Sequence, residues 1–151
     1  MIDSAVLQSV AELLCEVRQR PPDSETKVGA ALLTPVGCKV KATGYNAFLT
    51  DNDYPTTRPN KYAYIIHAEA SIVADLGAEG CRNRRVVITH APCNECVKLM
   101  IRAGVSEIWY FDSHLGLADS AVWLLRNAGV KVFNIQCEVE NYHLNALIEI
   151  L

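Results

Sequence analysis

Near the start of the chain, Val6, Leu7, Val10, Leu13, Leu14 and Val17 return at helical intervals behind Asp3 and Ser4. This spacing lays one apolar stripe along a helix, and an Asp or Ser ahead of it can cap the free N–H groups of the first turn. "RPPDS" breaks that helix, "KVGAALL" reads as a buried strand, "TPVG" as a turn, and "CKVKATGY" as an alternating strand that closes a hairpin. From Asn46 to Asn60 the chain is rich in Asn, Asp, Thr and Pro without periodicity, which predicts a surface loop of a length that is often functional. "HAEASIVADL" then opens a second helix.

Three short apolar runs follow, "VVIT", "EIWYF" and "KVFNI", separated by "NECVKLMIRAG" and "LADSAVWLLRNAG", each a helical pattern closed by glycine. Strands alternating with helices predict parallel pairing through right-handed crossovers. In "EVENYHLNALIEIL", Val139, Tyr142, Leu147 and Ile150 fall near one helical face, which predicts a last helix. The expected fold is α/β, a three-layer α-β-α arrangement. Its five-stranded mixed sheet joins an antiparallel hairpin to a parallel half and carries helices on both faces. No repeat or linker divides the chain, so residues 1–151 are expected to form a single domain.

Composition narrows the partners. Half of the residues are hydrophobic, about a fifth are charged, and the net charge is −3 with a pI near 5.8. No general basic surface is available to a long nucleic acid, so no polynucleotide partner is expected. No apolar run approaches the roughly 20 residues of a membrane span. Glu12, Glu16 and Arg18 interrupt the first helix where a signal peptide would need an unbroken apolar stretch, and the expectation is a cytoplasmic protein. Of six cysteines, Cys15, Cys38, Cys81 and Cys137 stand singly in apolar or strand-like segments and read as small buried hydrophobes.

The remaining pair, Cys93 and Cys96, stands one helical turn apart in "APCNEC", where a strand gives way to a helix. The positive end of a helix favours thiolates, the form a metal requires. A CxxC pair alone suits a structural zinc half-site or a redox pair equally well. His67 and Glu69 also stand at a loop-to-helix junction, and neither belongs in an apolar core without a partner. Two facing junctions would gather one His, two Cys and one Glu about a point. His67, Cys93 and Cys96 suit zinc and leave its fourth position open, as in catalytic sites. Two thiolates cancel the charge of the ion, so the bound water is acidified less and a nearby base matters more, a role that falls to Glu69. The chemistry this suits is hydrolytic deamination of an aminated heterocycle, with Glu69 moving protons from the zinc water to the ring and then to the leaving amine.

H-x-E followed by P-C-x-x-C is the signature of the zinc deaminases. The stretches "KVGAALL", "ATGYN", "KYAYIIHAEASI" and "PCNECVKLMIRAGVSEI", spanning most of residues 27–108, resemble the deoxycytidylate (dCMP) deaminase family. The resemblance implies a cytidine-deaminase-like fold, one catalytic zinc held by His67, Cys93 and Cys96, and Glu69 as proton shuttle. The reaction implied is deamination of dCMP to dUMP, which supplies thymidylate synthesis. It also implies a homo-oligomer, a hexamer before a dimer, and Asn46 holding the deoxyribose. Cytidine deaminases acting on free nucleosides usually have Cys where His67 stands, and riboflavin-pathway deaminases space their cysteines more widely. The tRNA adenosine deaminases share the ligands but would be expected to carry basic residues for a folded RNA. A 5-substituted dCMP is an alternative substrate, and a zinc-stabilised binding module is the alternative outside enzymes. The family's G-Y-N-G, tied to control by dCTP and dTTP, reads "GYNA" here, with Ala47 in place of glycine.

Further contacts expected at the substrate are Ala68 and Ala91, which adjoin the ligands, and His90 at the pocket rim, with packing as its other role. Arg58 and Lys61 are candidates to meet a 5′-phosphate, against an ordinary solvated loop charge. Asn46 could instead simply end its strand. Trp109, Tyr110 and Phe111 are expected to pack a strand, and Trp123 to lie in the core or at a subunit interface.

Overall fold

The computed structural model describes residues 1–20, 26–50, 55, 57–111, 116–138 and 143–151. Helix α1, Ser4–Val17, begins where expected, with the Asp3 carboxylate accepting the Ala5 N–H at 2.8 Å. Strands β1 (Gly29–Leu33) and β2 (Val40–Tyr45) form the antiparallel hairpin. After α2 (Ala68–Cys81), strands β5 (Arg85–Ile88), β6 (Glu107–Phe111) and β7 (Lys131–Glu138) alternate with α3 (Asn94–Arg102) and α4 (Asp119–Ala128). β5, β6 and β7 pair in parallel, and β1 joins them antiparallel to β5.

Successive side chains of a strand point to opposite faces, and here that alternation divides two cores. Ala31, Leu33, Val87, Trp109, Phe111, Phe133 and Ile135 pack with Leu7, Val10, Ala11 and Leu14 of α1. Ala30, Leu32, Val86, Ile88, Ile108, Tyr110 and Val132 face the other way, onto residues of α2, α3 and α4. The three-layer order follows: α1, the sheet, then the three remaining helices. Trp109, Tyr110 and Phe111 all pack the strand as expected, with the Trp109 and Phe133 rings stacked 4.0 Å apart.

Three expectations are corrected. The C-terminal segment forms strand β8, His143–Glu149, not a helix, and it pairs antiparallel with β7 to give a six-stranded order β2-β1-β5-β6-β7-β8. Without it β7 would present a row of unpaired backbone groups at the sheet edge, and that ladder overrides the weak helical period. Leu147 packs on the α1 face; Val139 and Tyr142 lie outside the described residues. The loop predicted from Asn46 to Asn60 contains β3, Ala47–Phe48, paired with β4, Ile65–Ile66, so Ala47 lies in a strand and takes no positive φ. Of the two places expected for Trp123, the core is excluded, since the side chain is 62% exposed. Among the single cysteines, Cys81 is buried, whereas Cys15 and Cys38 are only half-buried.

The register brings the end of β2, the start of β1 and the end of β5 to one edge, since Gly29 pairs with Tyr45 and Ala30 with Ile88. This is where the sheet changes from antiparallel to parallel, and the helices α2 and α3 both start near it. Open α/β sheets bind ligands at such switch points.

Candidate metal centre and active site

His67 and Cys93 occupy the same structural position, the residue immediately before a helix. His67 has φ −74°, ψ 158° ahead of α2, and Cys93 has φ −71°, ψ 164° ahead of α3. In this extended conformation the backbone carbonyl already joins the helix while the side chain stands off its end: Ser71 N–H donates to His67 O at 2.9 Å and Val97 N–H to Cys93 O at 3.0 Å. The His67 side chain caps nothing, so its ring is available to the site. Cys93 Sγ accepts the Cys96 N–H at 3.4 Å, which uses a free helix-end donor to hold the sulfur and favours its thiolate.

The two sulfurs each lie 3.4 Å from His67 Nδ1, and the three donor atoms fall within 4.8 Å of one another. Zinc–nitrogen and zinc–sulfur bonds meeting at a tetrahedral angle give a nitrogen-to-sulfur edge of about 3.5 Å, so the donors are spaced as one zinc ion requires. Among the described residues this is the group of three or more His, Cys, Asp or Glu side chains gathered closely enough to hold a metal ion, and no fourth protein donor among them joins it. Hydrogen bonds that the Cys93 thiolate accepts from Cys96 and from His67 lower the Cys93 thiol to about 3, while Cys96, which gives its proton to that bond, is raised. His67 is raised by its bond to Cys93.

Glu69, in the first turn of α2, is only 4% exposed, and burial raises its carboxyl above the ordinary value. It lines a cavity of 280 Å³ together with His67, Cys93, Ala68, Ala91, His90 and Asn46, so seven of the ten residues singled out in the sequence share one pocket. Cys96 adjoins through the sulfur cluster. Val28, Ile65, Thr26 and Tyr62 complete the wall.

Arg58 and Lys61 are not on that wall. Arg58 is exposed, and its guanidinium donates to Thr26 Oγ1 at 2.8 Å; Lys61 is wholly buried, with Nζ 3.4 Å from the same hydroxyl. Both cations therefore reach the pocket through Thr26. Asn46, buried to 3% exposure, spends its amide on the backbone: Oδ1 accepts Val28 N–H and Nδ2 donates to Thr26 O, each at 2.8 Å.

Two residues escaped the sequence reading. Gly44 lies where α2 begins, and a Cβ there would stand 2.3 Å from Ala68 O, so the helix approaches the strand only because this position has no side chain. Thr89 is buried beside His90, and its hydroxyl engages both Gly29 and the His90 ring. Glycine in "ATGY" and threonine in "VVIT" carried no local signal beyond a strand, because what they touch is remote in the chain.

Residues 4–112 match the family described as the cytidine and deoxycytidylate deaminase zinc-binding region. The chain belongs to that family. Over 106 residues it is 30% identical to a Drosophila melanogaster protein named "Probable deoxycytidylate deaminase", covering 61% of this chain and 52% of that one. Over 112 residues it is 29% identical to the human deoxycytidylate deaminase, covering 68% of this chain and 62% of the relative. The chain thus spans between about half and three-fifths of the length of these curated relatives. In three dimensions it is similar to the dCMP deaminase of the cyanophage S-TIM5, solved in complex with dCMP and dUMP: TM-score 0.68 and 19% identity, over 89% of this chain and all of that one. This likeness establishes the fold, and the three-layer arrangement agrees with it.

Proposed function

We propose that this chain catalyses hydrolytic deamination of dCMP to dUMP and ammonia. The observation that carries the reading is the buried Glu69 carboxyl sharing one 280 Å³ cavity with His67 and Cys93 of the three-donor cluster. Relatives named for dCMP support the choice of nucleotide.

In this reading His67, Cys93 and Cys96 hold one zinc ion. Zinc, when bound, supplies a Lewis-acidic position that makes water easier to deprotonate. Glu69 takes one proton from the water as its oxygen bonds to C4 and delivers it to N3 of the cytosine ring; it then takes the second proton from the C4 hydroxyl and gives it to the amine, which leaves as ammonia as the C4–N bond breaks and the C4 oxygen becomes a carbonyl. Burial suits Glu69 to this role, because a carboxyl raised above its ordinary value holds a proton longer and returns it more readily. Ala68 and Ala91, which line the pocket beside the ligands, form part of the surface that receives the base. Asn46 orders the wall that meets the sugar, and Arg58 and Lys61 place Thr26 towards the phosphate. The protein works as a homo-oligomer in the cytoplasm, a hexamer before a dimer, and supplies dUMP for thymidylate synthesis.

The test is ammonia release by the zinc-loaded protein from dCMP, 5-methyl-dCMP, deoxycytidine and a tRNA anticodon stem, with size-exclusion light scattering for the assembly. Turnover confined to dCMP supports the proposal. Preference for the methylated nucleotide or for RNA replaces the substrate, and no turnover of any returns the chain to a binding role.

A further inference from the structure

The pocket wall carries the His90 imidazole, to which neither the metal cluster nor the proton transfer assigns work. β5 ends at Ile88, and Thr89 carries the contact with β1 one residue further. Thr89 N–H donates to Gly29 O at 2.9 Å, and Thr89 Oγ1 accepts the Gly29 N–H at 3.1 Å, so the threonine closes the strand pair with backbone and side chain together. The same Oγ1 lies 2.8 Å from His90 Nδ1.

A hydroxyl has one proton to give. Thr89 is 3% exposed, so water does not take that proton, and Gly29 offers its oxygen a donor, not an acceptor. The proton therefore points at His90 Nδ1. Burial and the Arg18 charge lower the basicity of the imidazole and so favour its neutral form. A neutral ring whose Nδ1 accepts must carry its proton on Nε2. His90 is half-buried and lines the cavity beside Ala91 and Glu69.

We propose that Thr89 locks His90 in the Nε2–H tautomer, making His90 a neutral donor that binds a hydrogen-bond acceptor of the nucleotide. The acceptor is an oxygen, either of the pyrimidine and sugar or of the phosphate. The assignment rests on the deaminase reading for the identity of the ligand but not for its test. A buried donor of this kind discriminates strongly, because a ligand lacking the acceptor leaves the N–H unpaired. Thr89 is a positioning residue: it touches the ring, not the substrate.

The experiment uses zinc-loaded parent, His90→Leu, His90→Gln and Thr89→Val, with calorimetric dCMP binding alongside ammonia release. Gln places a donor near the position of Nε2, whereas Leu fills the space with none. Loss of the bond weakens binding about tenfold in His90→Leu. His90→Gln recovers most of that, Thr89→Val falls between, the loss reads more in KM than in kcat, and zinc content holds near the parental value. Deoxycytidine identifies the source: an equal penalty on nucleoside and nucleotide assigns a base or sugar oxygen, and a penalty on dCMP alone assigns the phosphate. Parent-like binding by His90→Leu, or His90→Gln no better than His90→Leu, overturns the assignment. Parent protein that binds dCMP but releases no ammonia overturns the deaminase reading alone, since binding still scores His90. Should His90→Leu fail to fold, the comparison of Thr89→Val with His90→Gln decides.

Discussion

Replacing Gly44 by alanine puts a methyl group where β2 and the first turn of α2 touch. The added Cβ would stand 2.3 Å from Ala68 O and 3.0 Å from Ile72 Cγ1. An ordinary carbon-to-oxygen contact is near 3.4 Å, so the helix start must retreat by about 1 Å. The backbone at Gly44 takes no positive φ, so alanine adds no torsional strain there and even narrows the unfolded ensemble. The whole penalty is steric, about 1–3 kcal/mol for overpacking. For a chain of this size that lowers Tm by roughly 3–10 °C. The functional effect exceeds the thermal one, because the residue whose carbonyl is displaced sits between His67 and Glu69. A 1 Å misplacement of catalytic groups costs on the order of 100-fold in rate. Gly77→Ala is the control: its Cβ meets nothing within 4 Å, but φ +65° with ψ −178° is a conformation nearly confined to glycine, so it costs about 1–3 kcal/mol through torsion, far along α2 from the site. Calorimetric Tm, elemental zinc and ammonia release are measured on both. The expectation is comparable destabilisation with activity lost only at Gly44. Parental activity and zinc content in Gly44→Ala would refute the argument that this close approach positions the centre.

Glu69→Gln retains stoichiometric zinc by elemental analysis while kcat falls by about 100- to 10,000-fold; undiminished turnover would remove the proton-transfer role. Chelation abolishes ammonia release and lowers Tm but leaves the far-ultraviolet circular dichroism of a folded protein, because two apolar cores on opposite faces of the sheet are built without the metal. Unfolding on chelation would instead favour the zinc-stabilised binding module. Asn46→Ala leaves the Val28 N–H and the Thr26 carbonyl without their side-chain partner and destabilises by about 1–3 kcal/mol, read as a lower denaturant midpoint. A midpoint unchanged from the parent would show that these bonds do not hold the pocket wall.

The metal centre was legible because its chemistry is local. Each ligand segment is a few residues long, and the two junctions, "HAE" and "PCNEC", each announce a helix start and a donor at once. The structure adds that His67 and Cys93 are both the cap residue, which explains why a histidine and a cysteine on separate helices converge. The second tier was less legible. Lys61 stands in a polar stretch and reads as an exposed charge, yet it is wholly buried against Thr26, thirty-five positions earlier. Asn46 reads as a strand terminator, and it is one; the same amide also fastens residues 26 and 28 to the pocket wall.

By itself the sequence determined what repeats at short range: the amphipathic face of α1, the strands β1, β2, β5, β6 and β7, helices α3 and α4 with their limits, and the donor set for zinc. Apolar period, turn residues and capping act over a few positions, so one sequence suffices to read them. Tertiary structure alone decided the rest. The segment 143–149 is a strand because β7 offered an open edge, β3 pairs with β4 because Ile65 and Ile66 return beside it, and Gly44 matters because α2 lies against it. Thr89 and His90 stand as a hydrogen-bonded pair only because Gly29, sixty residues away, anchors the Thr89 hydroxyl beside the ring. Each of these depends on an edge, a distance or a hydrogen-bond partner that exists only once remote parts of the chain have been brought together, and no local period encodes it.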